Sequence, residues 1–149
     1  MRKKKSFKLT DDYYEFEVKP KMLNHINTLH GGELVKHFDN AAGKAAIEFS
    51  ENRVVTAAIK EVNFFKKIEP AAKVIIRTEI FNVGRSSIYT YSKAYIAADN
   101  NKLNLAAEAF LIFVGIDANF NPTEVPLLVF DSSLDKFRSE KIKKKFNIE

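Results

Sequence analysis

A chain of 149 residues, 46% hydrophobic and 29% charged, has the size and balance of one globular domain built on one core. It contains no cysteine, which excludes disulfides, zinc–thiolate centres and cysteine nucleophiles. The formal charge of +5 collects at the ends, in residues 2–5 and 136–145. Basic ends suit an anionic partner, but residues 2–5 read as a solvated, partly disordered arm. No apolar run has the length of a signal core or a membrane span, and neither zinc-finger spacing nor an aromatic-rich RNA-binding signature is present. The expectation is a cytoplasmic protein with no membrane and no nucleic-acid partner.

Residues 10–19 alternate Tyr14, Phe16 and Val18 with charged side chains and read as a first strand. Pro20 ends it, because proline lacks the N–H that a ladder needs. After a loop to about His30, residues 31–49 read as a helix. At 100° per residue Leu34, Phe38, Ala41, Ala42, Ala45 and Phe49 gather on one side, and Val35 and Ala46 widen the stripe. The many alanines let the helix axis lie close to a sheet. Asp39 falls at the edge of that stripe, where a carboxylate is partly desolvated and needs either chemistry or a partner.

Four strands follow, over residues 54–65, 73–82, 86–98 and 104–117. Turn chemistry joins them: Asn82-Val83-Gly84, Asp99-Asn100-Asn101, and residues 119–122. Residues 1–130 form one domain. Residues 131–149 form a basic C-terminal tail with a short helix capped by Ser132 or Ser133. Strand, helix and four strands joined by short turns imply an α+β fold with a curved antiparallel sheet wrapped around one long central helix. Such a unit leaves sheet edges open, so pairing of two copies is expected.

Four separate segments, in order, then carry a resemblance. They are the run Asn24-His25-Ile26-Asn27-Thr28-Leu29-His30-Gly31-Gly32-Glu33-Leu34 with Asp39 beyond it; Val54-Val55-Thr56-Ala57 followed by Val62-Asn63-Phe64; Val83-Gly84-Arg85-Ser86-Ser87; and Phe113-Val114-Gly115-Ile116-Asp117 with Val125-Pro126 after it. With these segments the chain resembles the hotdog-fold acyl-CoA thioesterases over roughly residues 18–126. The resemblance implies hydrolysis of an acyl-CoA to free acid and coenzyme A at a dimer interface, with dimers assembling further to a tetramer or hexamer. Coenzyme A is then part of the substrate and no cofactor is required.

Hydrolysis needs a group to deprotonate water and donors for the oxygen that becomes negative. Gly31 and Gly32 open the helix, where unpaired N–H groups and the helix dipole favour an oxyanion; one such donor is typically worth ~3 kcal/mol to the transition state. Asp39 lies ~11 Å further along the same helix by rise, so one helix cannot easily present both groups to one carbonyl. The resemblance places Asp39 of one protomer opposite the helix start of the other, as general base or as nucleophile.

Asn24 is then a water- or carbonyl-binding amide, against its plainer reading as an Asx-type loop residue. His30 and Thr56 line the pocket. By the same resemblance Arg85, Ser86 and Ser87 are expected to contact the coenzyme A phosphates or the pantetheine arm. Lys66 and Lys67 offer further positive charge beside a loop. Asn27 stands where the family usually has glycine, and asparagine is the next residue to accept a left-handed backbone.

The spacing of His25, His30 and His37 puts no three ligands on one helix face, so no metal site is expected, and His37 reads as a surface residue. The rival readings are a non-catalytic acyl-CoA-binding hotdog module acting as a sensor, a hotdog dehydratase, which lacks its histidine-centred motif here, and a basic nucleic-acid-binding protein.

Overall fold

The computed structural model describes residues 1–7 and 11–149. In chain order the elements are β1 (Lys4–Ser6), β2 (Asp12–Glu17), a 3₁₀ turn (Pro20–Met22), α1 (Gly31–Ser50), β3 (Arg53–Phe64), β4 (Lys73–Val83), β5 (Ser87–Ala97), β6 (Leu103–Ile116), β7 (Leu127–Val129) and α2 (Ser133–Lys145). The helix and the four strands after it fall within two residues of the ends read from periodicity. Residue 10, the expected start of the first strand, lies outside the described residues.

Five strands form one antiparallel sheet in the order β2-β4-β5-β6-β3. The strands that close hairpins are neighbours, as short turns require, whereas β2 and β3 lie at opposite edges because α1 separates them in sequence. Register shifts in β3, between Thr56 and Ala58 and between Ile59 and Glu61, bend this edge strand. The sheet thereby curls around α1, whose alanine face (Ala41, Ala42, Ala46) joins Phe38, Ile76, Ile88, Leu111 and Phe113 in the main core. Phe38 is completely buried. The helix ends at Glu51, in a left-handed conformation with its N–H on the Ile47 carbonyl.

The outer face of the sheet carries a second cluster, Phe81, Tyr91 and Phe110, covered by Ile142 and Phe146 at the C-terminal end of α2. The basic tail is therefore largely a packed helix. Ser132 caps it by accepting from Asp135 N, and Ser139 Oγ donates to the buried Phe81 carbonyl at 2.6 Å. Beneath it Glu108, 3% exposed, accepts from Tyr91 Oη (2.8 Å) and Asn63 Nδ2 (2.9 Å) and pairs with Lys145 at 3.3 Å. Burial works to raise the Glu108 pKa, but the Asn63 and Tyr91 hydrogen bonds and the Lys145 charge outweigh it and hold the carboxyl below its usual range.

Two expectations are corrected. Residues 2–5 are not a free arm: Lys4–Ser6 pair in parallel with Leu127–Val129, giving a small two-stranded sheet, and Lys5 pairs with Glu51 at 2.8 Å. Nor is His37 a surface residue. It is 8% exposed, stacked on Phe16 at 3.6 Å, with Nδ1 2.8 Å from Tyr14 Oη. The sheet wraps more of α1 than the aliphatic stripe, and the inward aromatics of β2 lie over the flank where His37 sits.

Among the described residues His37 Nε2 is buried without a hydrogen-bond partner. Burial holds the His37 pKa below its ordinary value of 6.5; Glu33 opposes this with a smaller effect, and the Lys36 charge adds to it. Above that value both folded and unfolded forms carry neutral histidine. As pH falls below it the unfolded chain takes up a proton that the folded chain refuses, and stability is lost until the folded pKa is reached. Thermal melts from about pH 7.5 to about pH 5 should therefore show a falling midpoint, and His37→Phe should flatten that fall. An unchanged slope in the variant would remove His37 as its cause.

Candidate active site

The loop before α1 is built on Asn24. Its Oδ1 accepts from the Ile26 and Thr28 amides at 3.1 and 3.0 Å, and its Nδ2 donates to Thr28 Oγ1 at 3.0 Å. Asn27 takes the left-handed conformation (φ 61°) expected of it. The Asx-type reading of Asn24 is thus fulfilled in the geometry, and its side chain orders the loop that delivers the chain to the helix start.

At that start His30 is the N-cap, and its Nδ1 accepts from Gly32 N at 2.9 Å. A ring nitrogen thus occupies one of the donors that the glycine pair presents. Gly31 lines a cleft of about 310 Å³ with Leu29, Leu34, Ile68, Phe64, Phe65, Lys66 and Lys67. A Cβ on Gly31 would lie 3.6 Å from the Phe64 ring, so glycine keeps the backbone open to this cleft.

Asp39 sits in a different cleft, of about 440 Å³, with Gly43, Ile47, Val54, Thr56 and Phe113 among its walls. Thr56 Oγ1 donates to Asp39 Oδ1 at 2.6 Å. Thr56, which strand propensity alone would explain, therefore orients the carboxylate. The two clefts share no residue: one chain does not bring Asp39 and the glycine pair together.

The third set lies at the Asp39 end of the sheet. Phe113 of β6 pairs with Thr56 on one side and Ile88 on the other, and Val114 pairs with Val55 and Ser87. Ser87 is thus two strands away from Val55, about 10 Å across the sheet. Arg85 in the turn before β5 is exposed, and among the described residues its guanidinium has no partner. Among the described residues no cluster of three His, Asp or Glu could hold a metal ion, and no helix is long and apolar enough to cross a membrane.

The sequence reading missed Phe65 and Phe113 as cleft walls. Phe65 follows a strand end and Phe113 lies within an apolar run, so neither is distinguishable from core by pattern.

Residues 26–100, half of the chain, match the family model of the Thioesterase superfamily. The chain belongs to that superfamily. Relatives of this thioesterase-superfamily chain include the uncharacterized acyl-CoA thioester hydrolase YkhA of Bacillus subtilis, 34% identical over 107 residues, which are 71% of this chain and 62% of that protein. The cytosolic acyl coenzyme A thioester hydrolase of rat is 30% identical over 121 residues, 79% of this chain and 32% of the rat protein. The chain thus matches less than two thirds of the length of either.

Among solved structures, the acyl-CoA hydrolase of Staphylococcus aureus in complex with butyryl coenzyme A, coenzyme A and coenzyme A disulfide superposes with a TM-score of 0.87. It is 28% identical, over 96% of this chain and 88% of that one. Structures of the same enzyme with an aspartate, an asparagine or a threonine replaced by alanine are also similar, with TM-scores of 0.87, 0.85 and 0.81. These neighbours establish the hotdog fold.

Replacing Asn24 by alanine should lower the unfolding free energy by roughly 1–2 kcal/mol, since two amides lose their acceptor. Asn24→Asp keeps both acceptor bonds and should lose less. Denaturant titration of the pair checks this, and equal losses would show that the amide acceptors are not what the loop depends on.

Proposed function

We propose that this protein is an acyl-CoA thioesterase, acting on acyl-CoA across the interface of a homodimer. The observation that carries this is the Thr56-oriented Asp39 carboxylate in an open cleft beside an exposed, apolar sheet edge. β3 is an edge strand of 12 residues, with Val55, Ile59 and Phe64 exposed along it. A long apolar edge of this kind is stabilised by pairing with another. Antiparallel pairing of β3 with its copy exchanges the two ends of the strand. The Thr56–Asp39 end of one protomer then faces the Phe64–Gly31 end of the other, and the two half-clefts become one site.

In that site the thioester carbonyl oxygen takes the place of His30 Nδ1 at the helix start, accepting from Gly32 N–H with Gly31 N–H beside it. Asp39, with one oxygen held by Thr56, uses the other to deprotonate water for attack on the carbonyl carbon, or attacks that carbon itself. The tetrahedral intermediate collapses with departure of the coenzyme A thiolate, which takes up the proton held by Asp39 on the water route; on the nucleophilic route water then hydrolyses the acyl–Asp39 anhydride to the free acid and restores the carboxylate. The second amide hydrogen of Asn24 is available to the carbonyl or the water. Arg85, Ser86 and Ser87 take the coenzyme A phosphates or pantetheine arm, the planar guanidinium matching a phosphate by two parallel donors. The aspartate, asparagine and threonine replaced in the S. aureus enzyme have the same spacing along their chain as Asp39, Asn24 and Thr56 here, which supports a shared site. Further pairing of dimers to a tetramer or hexamer belongs to the same proposal. Leu134 and Phe137, 73% and 65% exposed on α2, are apolar surface open to it.

Incubation with acyl-CoAs from acetyl to palmitoyl and a thiol reagent should release thiol; none released by the folded protein would reject the enzyme. Asp39→Ala should cut kcat by about 10²–10⁴-fold while the dimer and coenzyme A affinity persist. An unchanged rate would strip Asp39 of its role. Arg85→Ala should mainly raise KM, and a change in kcat alone would contradict its assignment to the phosphates.

A further inference from the structure

The turn from β4 into β5 is short, with Arg85 exposed and Gly84 and Ser86 half-buried, and its three carbonyls are all engaged. Gly84 O accepts from Arg2 Nη2 at 2.6 Å, Arg85 O from Val125 N at 2.8 Å, and Ser86 O from Gly115 N at 2.8 Å. Gly84 N closes the turn on Ser87 O at 2.9 Å. Two of these three supports come from β6 and the segment leading to β7. The third comes from the chain's other end.

Arg2 also donates from Nε to Val125 O at 2.6 Å. One guanidinium therefore spans the turn and the segment that braces it, from a part-buried position. A planar fork with donors in fixed directions ties two carbonyls on separate segments with little loss of freedom, whereas an ammonium offers its donors from a single point on a flexible stem. The arm is itself fixed: Leu127 N donates to Lys3 O at 2.8 Å, Lys4–Ser6 pair with Leu127–Val129, and Lys5 is anchored on Glu51. Its basic residues are thus divided between a surface ion pair and an internal clamp.

We propose that Arg2 is a positioning residue for phosphate recognition: it sets the conformation of the turn whose Arg85, Ser86 and Ser87 face the ligand. This rests on the reading that the turn binds the phosphates of coenzyme A. Arg2 does not touch the ligand. It draws the carbonyl side of the turn onto the scaffold, and so fixes where the Arg85 side chain leaves the surface.

The test compares acyl-CoA with the matching acyl-pantetheine, which has no phosphates, on the full chain. Arg2→Ala should raise KM for acyl-CoA by roughly tenfold, the loss of about one charge-assisted contact, and leave KM for acyl-pantetheine unaltered. Arg2→Lys should fall between Arg2→Ala and the parent. Arg2→Ala combined with Arg85→Ala should be no worse than Arg85→Ala alone, because the two act through one contact.

If Arg85→Ala raises KM for acyl-CoA and Arg2→Ala does not, this inference is wrong and the phosphate site stands. If Arg85→Ala has no effect on either substrate, the phosphate site itself fails. If Arg2→Ala impairs both substrates equally, or melts the protein while Arg2→Lys behaves as the parent toward both substrates, Arg2 serves only the fold.

Discussion

The close approach of α1 to the concave side of a five-stranded sheet is the constraint on which the rest depends. A helix lies close inside a curved sheet when many of the facing side chains are small, and Ala41, Ala42 and Ala46 meet that requirement between the large buried side chains of Leu34, Phe38 and Phe49. The sheet must bend to follow, and the irregular pairing of β3 supplies the bend. β3 is also the last strand on that side, so its outer edge has no partner strand among the described residues. Core packing and the exposed edge proposed for dimerisation therefore meet in one strand.

That geometry also disposes the reactive groups. The helix start is open because glycine keeps side chains away from it, and the cap there is a histidine ring rather than a hydroxyl or carboxylate. A ring nitrogen is an acceptor that a substrate oxygen can replace without leaving a buried charge behind. At the other cleft, Thr56 and Asp39 meet because β3 runs back along the helix that precedes it, and their hydrogen bond settles the orientation of a carboxylate that would otherwise rotate freely.

On the convex face the buried polar groups follow a different logic. Glu108 survives there because Asn63, Tyr91 and Lys145 together offset the cost of removing its charge from water. Burial, with the Glu108 carboxylate beside it, pushes the Tyr91 pKa far upward, so the phenol stays a donor. α2 closes over this cluster with a narrow apolar face at its C-terminal end, and its N-terminal half leaves Leu134 and Phe137 in solvent.

Much was legible in the chain itself. Period 3.6 over residues 31–49 and alternation in the strands reflect single-element burial, which sequence records directly. The motif segments marked Asn24, Gly31, Gly32, Asp39, Thr56 and Arg85 as residues to watch, and α1, β3, β4, β5 and β6 follow the expected bounds. The position of His37, the pairing of residues 4–6 with 127–129, the reach of Arg2 to the carbonyls of Gly84 and Val125, and the hydrogen bond from Thr56 to Asp39 were decided only by tertiary structure. Each joins groups distant in sequence through geometry set by the whole sheet. A three-residue strand or a lone arginine carries no periodic signal of its own, and only the curvature of the assembled sheet determines which distant group it meets.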